Sequence, residues 1–326
     1  MKIGVYSPNW IGDAIMALPF ISELKDQNPN AEINVICKEW VSGVYEKNPA
    51  IDELITIKKC SINNIVGTFK TGWRLKLRNY DQFFTLTDSF RSALVLWISG
   101  SKKRVGYKAQ MRSFLLTKSF YHPKKRIHRS KKFLKMLRTG QNIILDPNIY
   151  ISEKEKIWAK DEMKRLKLKE PVAIFPFSIA KNRSISNNII KKWIKNSKSD
   201  YLIFGSKNDS IKGDSLINQC QNNSIKSICG KYSLRESILL ISLCHYSLAA
   251  DSGLGHISAA LGVPTISFFG AGYPDKTGPL GKSTFIIKHC SPCRGDDCKN
   301  INNRISCIKE ISKSEIELYV SSLLKL

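Results

Sequence analysis

Two short runs hold the residue types with which this chain can do chemistry. The first is Ser7-Pro8-Asn9-Trp10-Ile11-Gly12-Asp13-Ala14, which joins a predicted strand to a predicted helix and sets Asp13 at that helix's N-terminal end. A carboxylate there has two uses. It caps the helix, accepting backbone N–H bonds and favoured by the dipole, or it serves as a general base at the mouth of a cleft, as activating a hydroxyl requires. Gly12 beside it lets the backbone approach a ligand.

The second run is Ala250-Asp251-Ser252-Gly253-Leu254-Gly255-His256, again between a strand and a helix. Free N–H groups at the start of that helix, with the small Ser252 and Gly253 keeping the approach open, would cradle a diphosphate. His256 falls in the first turn, either as a satisfied core or cap histidine or facing the same ligand as Asp251. Neither G-x-G-x-x-G nor G-x-x-x-x-G-K-[ST] occurs, so hydride transfer and ATP hydrolysis lose support.

Two further strand ends carry matching chemistry. Phe175-Pro176-Phe177-Ser178 is followed by Lys181 and Arg183, cations for a diphosphate, and Phe204-Gly205-Ser206-Lys207-Asn208 leads to Asp209, a carboxylate for ribose hydroxyls. Near the C-terminus Cys290, Cys293, Cys298 and Cys307 form a C-x2-C-x4-C-x8-C cluster that could ligate zinc or form disulfides. The remaining cysteines, Cys37, Cys60, Cys220, Cys229 and Cys244, lie in apolar runs and read as reduced core thiols.

The elements that must position these residues alternate. Strands are predicted near Ile3–Tyr6, Glu32–Cys37, Leu54–Ile57 and Gln82–Thr85, with helical periods between them. The pattern restarts after Tyr150 with a charged helix, then strands at Val172–Phe175, Tyr201–Phe204, Ile225–Ile228, Ser247–Ala250, Thr265–Phe269 and Phe285–Ile287. This is βαβ punctuation. It predicts an α/β chain of two Rossmann-like domains with parallel sheets, residues 1–148 and 149–326, separated at Asp146-Pro147-Asn148 and closed by a C-terminal helix. A length of 326 residues suits two such domains. Ligands of doubly wound domains bind at the carboxyl ends of the strands, where the runs above fall.

Composition narrows the partners. Lys and Arg number 52 against 27 Asp and Glu, a formal charge of +25, and Lys102–Arg138 contains no acid at all. General richness in Lys, Ile and Asn explains part of the bulk charge; the clustering points to a polyanion. Nucleic acid is a weak candidate, because no RNP-like aromatic motif, zinc-finger spacing or helix-turn-helix accompanies the charge. No apolar run approaches the ~20 residues of a spanning helix, and the N-terminus reads as a first strand, so the expected location is the cytoplasm.

Three stretches carry a family resemblance: P-N-W-I-G-D-A-I-M-A-L-P at 8–19, F-G-S-K-N-D at 204–209 and A-D-S-G-L-G-H-I-S-A-A-L at 250–261. They resemble glycosyltransferase family 9, the ADP-heptose:lipopolysaccharide heptosyltransferases. S-F-R-S-A-L at 89–94 and K-R-V-G-Y at 103–107 extend the likeness over nearly the whole chain, and the W-I-G-D form with the C-S-P-C loop is most similar to the heptosyltransferase II group.

The resemblance implies a GT-B fold whose sheets face a central cleft. It further implies inverting transfer of L-glycero-D-manno-heptose from ADP-heptose, with no cofactor and no metal in catalysis. Asp13 matches the family's general base. Asp251, Ser252, Gly253, Leu254 and His256 fall on its ADP-contact motif, and Asp209 on a ribose-binding acid. The 176–186 stretch departs from the family's G-A-x-x-x-x-A-K-R-W-P-like pattern, so either Lys181 or Arg183 takes the phosphate place.

The implied acceptor is the lipopolysaccharide inner core, heptosyl-Kdo2-lipid A, presented at the inner leaflet of an anionic membrane to a peripheral enzyme. Gly12, Arg91, Arg104 and Arg112, with Lys102 and Lys103, are the expected acceptor contacts, since Arg pairs bidentately with carboxylate and phosphate. The cysteine cluster is expected to be scaffold. The alternatives are a transferase of the first or third heptose, or another nucleotide sugar as donor.

Overall fold

The computed structural model describes residues 1–58, 65–137, 146–180, 183–195, 197, 199–220, 224–270, 272–287 and 312–323. Lys181, Cys60 and the Cys290, Cys293, Cys298 and Cys307 cluster lie outside the described residues. The chain forms two compact units, Met1–Tyr150 and Ile151–Leu326.

The first unit is built on strands β1 (Lys2–Tyr6), β2 (Glu32–Lys38), β3 (Glu53–Ile57), β4 (Gln82–Thr85), β5 (Lys103–Tyr107) and β6 (Lys118–Phe120), in the order β3-β2-β1-β4-β5-β6. All its pairings are parallel, with Tyr6 level with Ile36 and Thr85. Strand β1 is apolar and buried from Ile3 onwards, as a strand covered on both faces must be. Helices α1 (Ile11–Met16) and α2 (Leu18–Gln27) are separate because Pro19 fits a first turn and not a helix interior; the chain restarts at Ala17. Helices α3 (Ile65–Lys76), α4 (Phe90–Ile98) and α5 (Arg129–Leu134) are the other α-helices among the unit's described residues. Phe20 and Phe84 meet edge to face, centroids 5.2 Å apart, joining α2 to the sheet.

The second unit repeats the plan. Strands β7 (Val172–Phe175), β8 (Tyr201–Ile203), β9 (Ile225–Ser227), β10 (Ser247–Ala250), β11 (Thr265–Phe268) and β12 (Thr284–Ile287) lie in the order β12-β11-β10-β7-β8-β9, all parallel. Numbered within its own unit, this is again the order 3-2-1-4-5-6. The order reverses between β1 and β4 in the first unit and between β7 and β10 in the second. A crevice for ligands opens at such points, outside the carboxyl ends of the strands.

Helices α6 (Glu153–Arg165), α7 (Asn187–Ile194), α8 (Ser210–Cys220), α9 (Leu234–Ile241) and α10 (Gly253–Ala260) flank the second sheet, with a final helix at Lys313–Leu323. Glu155 ties α6 to α9. It closes the α6 capping box with Ser152 and accepts from the Arg235 guanidinium at 2.8 and 2.9 Å. The Arg235 hydrogen bond holds its carboxyl down at about 2.

Strands β5 and β6 were not among the predicted ones. Lys103–Tyr107 opens on two cations and Lys118–Phe120 is three residues long, so neither shows the apolar run that marks a buried strand. Cys37, Cys229 and Cys244 are buried free thiols and Cys220 is half-buried; burial pushes the Cys37 thiol up to about 12. Among the described residues no helix is long and apolar enough to cross a membrane, and no cluster of His, Cys, Asp or Glu could hold a metal.

Candidate active-site loops

In the first unit the loop after β1 is fixed from both sides. Ser7 and Tyr45 share a hydroxyl–hydroxyl bond of 2.6 Å, and the Trp40 indole donates to the Asn9 carbonyl at 2.9 Å. Asp13 follows as the third residue of α1, with Gly12 half-buried before it. Among the described residues no backbone N–H donates to the Asp13 carboxylate. Its partner is Arg129, whose guanidinium donates to Oδ2 at 2.5 Å. Arg129 opens α5, more than a hundred residues downstream. A carboxylate held by one oxygen and only partly exposed keeps its other oxygen to accept a proton.

Lys38, at the carboxyl end of β2, is a second group missed from sequence. It is only 6% exposed, and no carboxylate among the described residues lies within ion-pair distance of it. Its amine sits 5.7 Å from the centre of the Trp40 ring. Burial, and then the charge of Arg91, lower its pKa. Arg91 is exposed in the first turn of α4, beyond the carboxyl end of β4. Both cations lie on the strand-end side of this sheet, where Arg91 adds to the lowering of the Lys38 pKa.

Three of the other expected acceptor contacts, Arg112, Arg104 and Lys102, are engaged within the unit. Arg112 is fully buried, donating to the Tyr107 and Ser89 carbonyls and to the Ser92 hydroxyl at 2.9–3.0 Å. It clamps the turn after β5 to the start of α4 and offers nothing to a ligand. Arg104 lies toward the amino end of β5, level with Phe83, and donates to the Leu115 and Ser101 carbonyls at 2.8 and 2.7 Å. Lys102, at the same end, pairs with Asp81 at 2.8 Å. Lys132 pairs with Asp88 and Arg129 with Asp13. Several cations of the acid-free segment are therefore spent inside the unit.

In the second unit the loops after β7 and β10 are stitched together by the Ser178 hydroxyl, which donates to the Asp251 carbonyl at 3.0 Å. Asp251 lies just past β10, and Ser252 is the N-cap of α10. Burial raises the Asp251 pKa, and Arg183 opposes this from 3.6 Å. Asp251 Oδ2, Arg183 Nε and Ser252 Oγ are all buried without a hydrogen-bond partner among the described residues. Each such atom costs about 1–3 kcal/mol, so three of them gathered near one turn set it apart as the candidate ligand site of this unit.

Gly253 and Leu254 follow as the first residues of α10, and His256 is buried in the same turn. Gly272 closes the site from a third loop. A Cβ there would stand 2.3 Å from Asp251 Oδ2. Asp209 stands apart, capping its own turn: Oδ2 accepts from the Ser206 N–H and hydroxyl at 3.1 and 2.6 Å, and Oδ1 from Lys212 at 3.1 Å. Burial acts to raise its pKa, but these bonds outweigh it and lower it.

These are two doubly wound units, with a carboxylate just past the switch-point strand of one and, just past that of the other, a turn of polar atoms unpartnered among the described residues. A family model, glycosyltransferase family 9 (heptosyltransferase), matches residues 68–303. The chain belongs to glycosyltransferase family 9, and it is a glycosyltransferase. It is similar to lipopolysaccharide heptosyltransferase 2 of Escherichia coli K12, 27% identical over 311 residues and 88% of each chain. It is also similar to lipopolysaccharide heptosyltransferase 3 of that organism, 27% identical over 278 residues and 80% of each chain. The solved structure of E. coli ADP-heptose LPS heptosyltransferase II superimposes at a TM-score of 0.86 with 23% identity, covering 99% of this chain and 98% of that one. The fold is GT-B, two Rossmann-like units each with a parallel sheet.

Proposed function

We propose that this enzyme transfers L-glycero-D-manno-heptose from ADP-heptose to the lipopolysaccharide inner core, with heptosyl-Kdo2-lipid A as acceptor and inversion at the anomeric carbon. The relatives named lipopolysaccharide heptosyltransferase 2 support the class of reaction. The observation that carries the mechanism is Asp13, whose carboxylate is held through one oxygen by Arg129. Its Oδ1 takes the proton of the acceptor hydroxyl as that oxygen bonds to the anomeric carbon. The bond from that carbon to the diphosphate breaks, and ADP leaves with the electron pair.

Residues 1–148 bind the acceptor in this reading, and 149–326 bind the nucleotide sugar. The N–H groups of Ser252, Gly253 and Leu254 meet the growing charge of the leaving diphosphate, with Arg183 or Lys181 adding a cation. Asp251 and His256 line that turn, and Asp209 retains acceptor capacity on Oδ1 for a ribose hydroxyl. Lys38 and Arg91 hold an anionic group of the acceptor, and Gly12 lets the backbone before Asp13 approach it. No metal or organic cofactor enters these steps. The enzyme works at the cytoplasmic face of the inner membrane, drawn by a charge of +25 to its anionic surface.

The likeness to heptosyltransferase 3 favours a second reading, transfer of a later heptose to the same core. The test is calorimetric titration with ADP-heptose, UDP-glucose and GDP-mannose, followed by transfer assays on acceptors truncated before each core heptose, using wild type and Asp13→Ala. Selective ADP-heptose binding, kept in Asp13→Ala while turnover falls by about 10²–10⁴, is the expected result. Preference for another donor overturns the heptose reading, and full turnover in Asp13→Ala reduces that residue to a helix-end charge.

A further inference from the structure

Helix α3 is built inside out. Its buried face is Gly67, Thr68, Thr71, Gly72 and Leu75, four of the five small. Its large apolar side chains point to solvent: Ile65, Val66, Phe69 and Trp73, with Leu77 just past the last turn, exposed between 48% and 80%. At about 100° per residue these five cover roughly one third of the helix circumference. No other register is open, because α3 packs on α4 so closely that a Cβ on Gly72 would stand 2.6 Å from Ile98 Cβ. Phenylalanine or tryptophan cannot be turned inward there.

The surroundings of this stripe identify what covers it. Residues 65–80 contain no acid. Lys70, Arg74 and Lys76 are exposed around the apolar side chains, and the Lys76 amine lies 5.0 Å over the Trp73 ring. Trp97, on the partner helix α4, is half-exposed as well. Aliphatic and aromatic side chains ringed by cations, with no acid among them, suit an interface of acyl chains below and phosphates above. Among the described residues no helix spans a membrane, so attachment through such a face is peripheral.

We propose that the outward face of α3 is a docking surface for an anionic lipid bilayer, with Phe69, Trp73 and Leu77 entering the headgroup boundary and Lys70, Arg74 and Lys76 meeting lipid phosphates. The proposal deepens the reading above, resting on it for an acceptor anchored in a bilayer, and its binding test needs no acceptor. Full-length protein is sedimented with vesicles of phosphatidylglycerol and phosphatidylethanolamine, and with phosphatidylcholine vesicles as reference.

Wild type binds the anionic vesicles. The triple variant Phe69→Ser, Trp73→Ser, Leu77→Ser partitions at least about tenfold more weakly, with its unfolding midpoint nearly unchanged because these side chains are about half or more exposed in the free protein. Lys70→Glu with Arg74→Glu weakens binding comparably and guards against a folding defect in the first variant. Brominated lipids quench wild-type fluorescence, and Trp73→Phe removes most of that quenching. On a deacylated, water-soluble acceptor the triple variant keeps wild-type turnover, whereas on acceptor embedded in vesicles it loses about tenfold.

Equal vesicle binding by wild type and triple variant overturns the proposal. So does a wild-type dimer that the triple variant disperses without any vesicle binding, which would make this face a contact between copies. Absence of transfer to the deacylated acceptor by wild type overturns the heptosyltransferase reading and leaves the vesicle result standing.

Discussion

Asp13 and Asp251 occupy comparable places in the two units, each shortly after the strand at which strand order reverses, yet they are handled oppositely. Asp13 is met by an arginine from a distant helix at 2.5 Å. Asp251 is more deeply buried, its nearest guanidinium is at 3.6 Å, and Oδ2 has no hydrogen bond among the described residues. One carboxylate is oriented before any ligand arrives; the other is left incomplete. A group that must take a proton in the transition state gains from being fixed in advance. A group that recognises a ligand gains from having its partners supplied on binding, because the buried, unsatisfied state then favours the complex.

The sharpest way to break this comparison, with the largest effect after loss of Asp13 itself, is to remove Arg129. Arg129→Ala should lower kcat by about 10- to 100-fold with the ADP dissociation constant unchanged, since a misplaced base loses orientation and not donor affinity. Arg129→Lys, which restores the charge without the planar fork, should recover part of the loss. Steady-state kinetics with calorimetric ADP binding checks both. A fall in ADP affinity equal to the fall in kcat would show that Arg129 acts on the donor, and the contrast between the aspartates would fail.

Replacing Asp251 tests the other side. Asp251→Asn should weaken ADP binding by roughly tenfold while stabilising the free protein by about 1 kcal/mol, since a buried carboxylate without hydrogen bonds costs more than a neutral amide. The sign with pH follows from the direction of its shift. The folded-state pKa lies above the ordinary 3.8, so in the window between them the folded protein binds the proton more readily than the unfolded chain. Stability attributable to this group therefore rises as pH falls through that window. Thermal unfolding of wild type and Asp251→Asn from neutral pH to about 4 should show the gap between them closing. A gap that widens on acidification would place Asp251 in a satisfied pair.

What could be read from the sequence, and what could not, follows the range of the interactions. The β1–α1 turn around Asp13 and the β10–α10 turn around Asp251 were legible because strand, turn and helix lie within about a dozen consecutive residues. Alternating apolar runs gave the parallel sheets for the same reason. The Arg129–Asp13 pair was not legible, since Arg129 is one of many cations in an acid-free segment and only the folded chain brings it to Asp13. Arg112 failed in the opposite direction. Its charge suggested a ligand, but buried carbonyls consume it, and carbonyl positions leave no trace in residue types. Lys38 was hidden by its setting at the end of a buried strand, where a lysine reads as the start of a loop.

The smallest effect separates cations that hold the fold from those that hold the acceptor. Lys38→Met keeps the length of the side chain and removes its charge, so it should raise the acceptor KM by about fivefold with kcat and ADP binding nearly unchanged. Because burial already disfavours the charged amine, the same substitution should leave the unfolding midpoint equal or slightly higher. Arg112→Met should do the reverse, lowering the midpoint by several degrees as the Tyr107 and Ser89 carbonyls lose their donors. Its acceptor KM at a temperature well below unfolding should stay near the wild-type value. If Arg112→Met instead raised the acceptor KM without loss of stability, the clamp would have to open in the working enzyme and present its guanidinium to the ligand. A Lys38→Met enzyme with unaltered acceptor kinetics would leave Arg91 as the cation at that edge of the sheet.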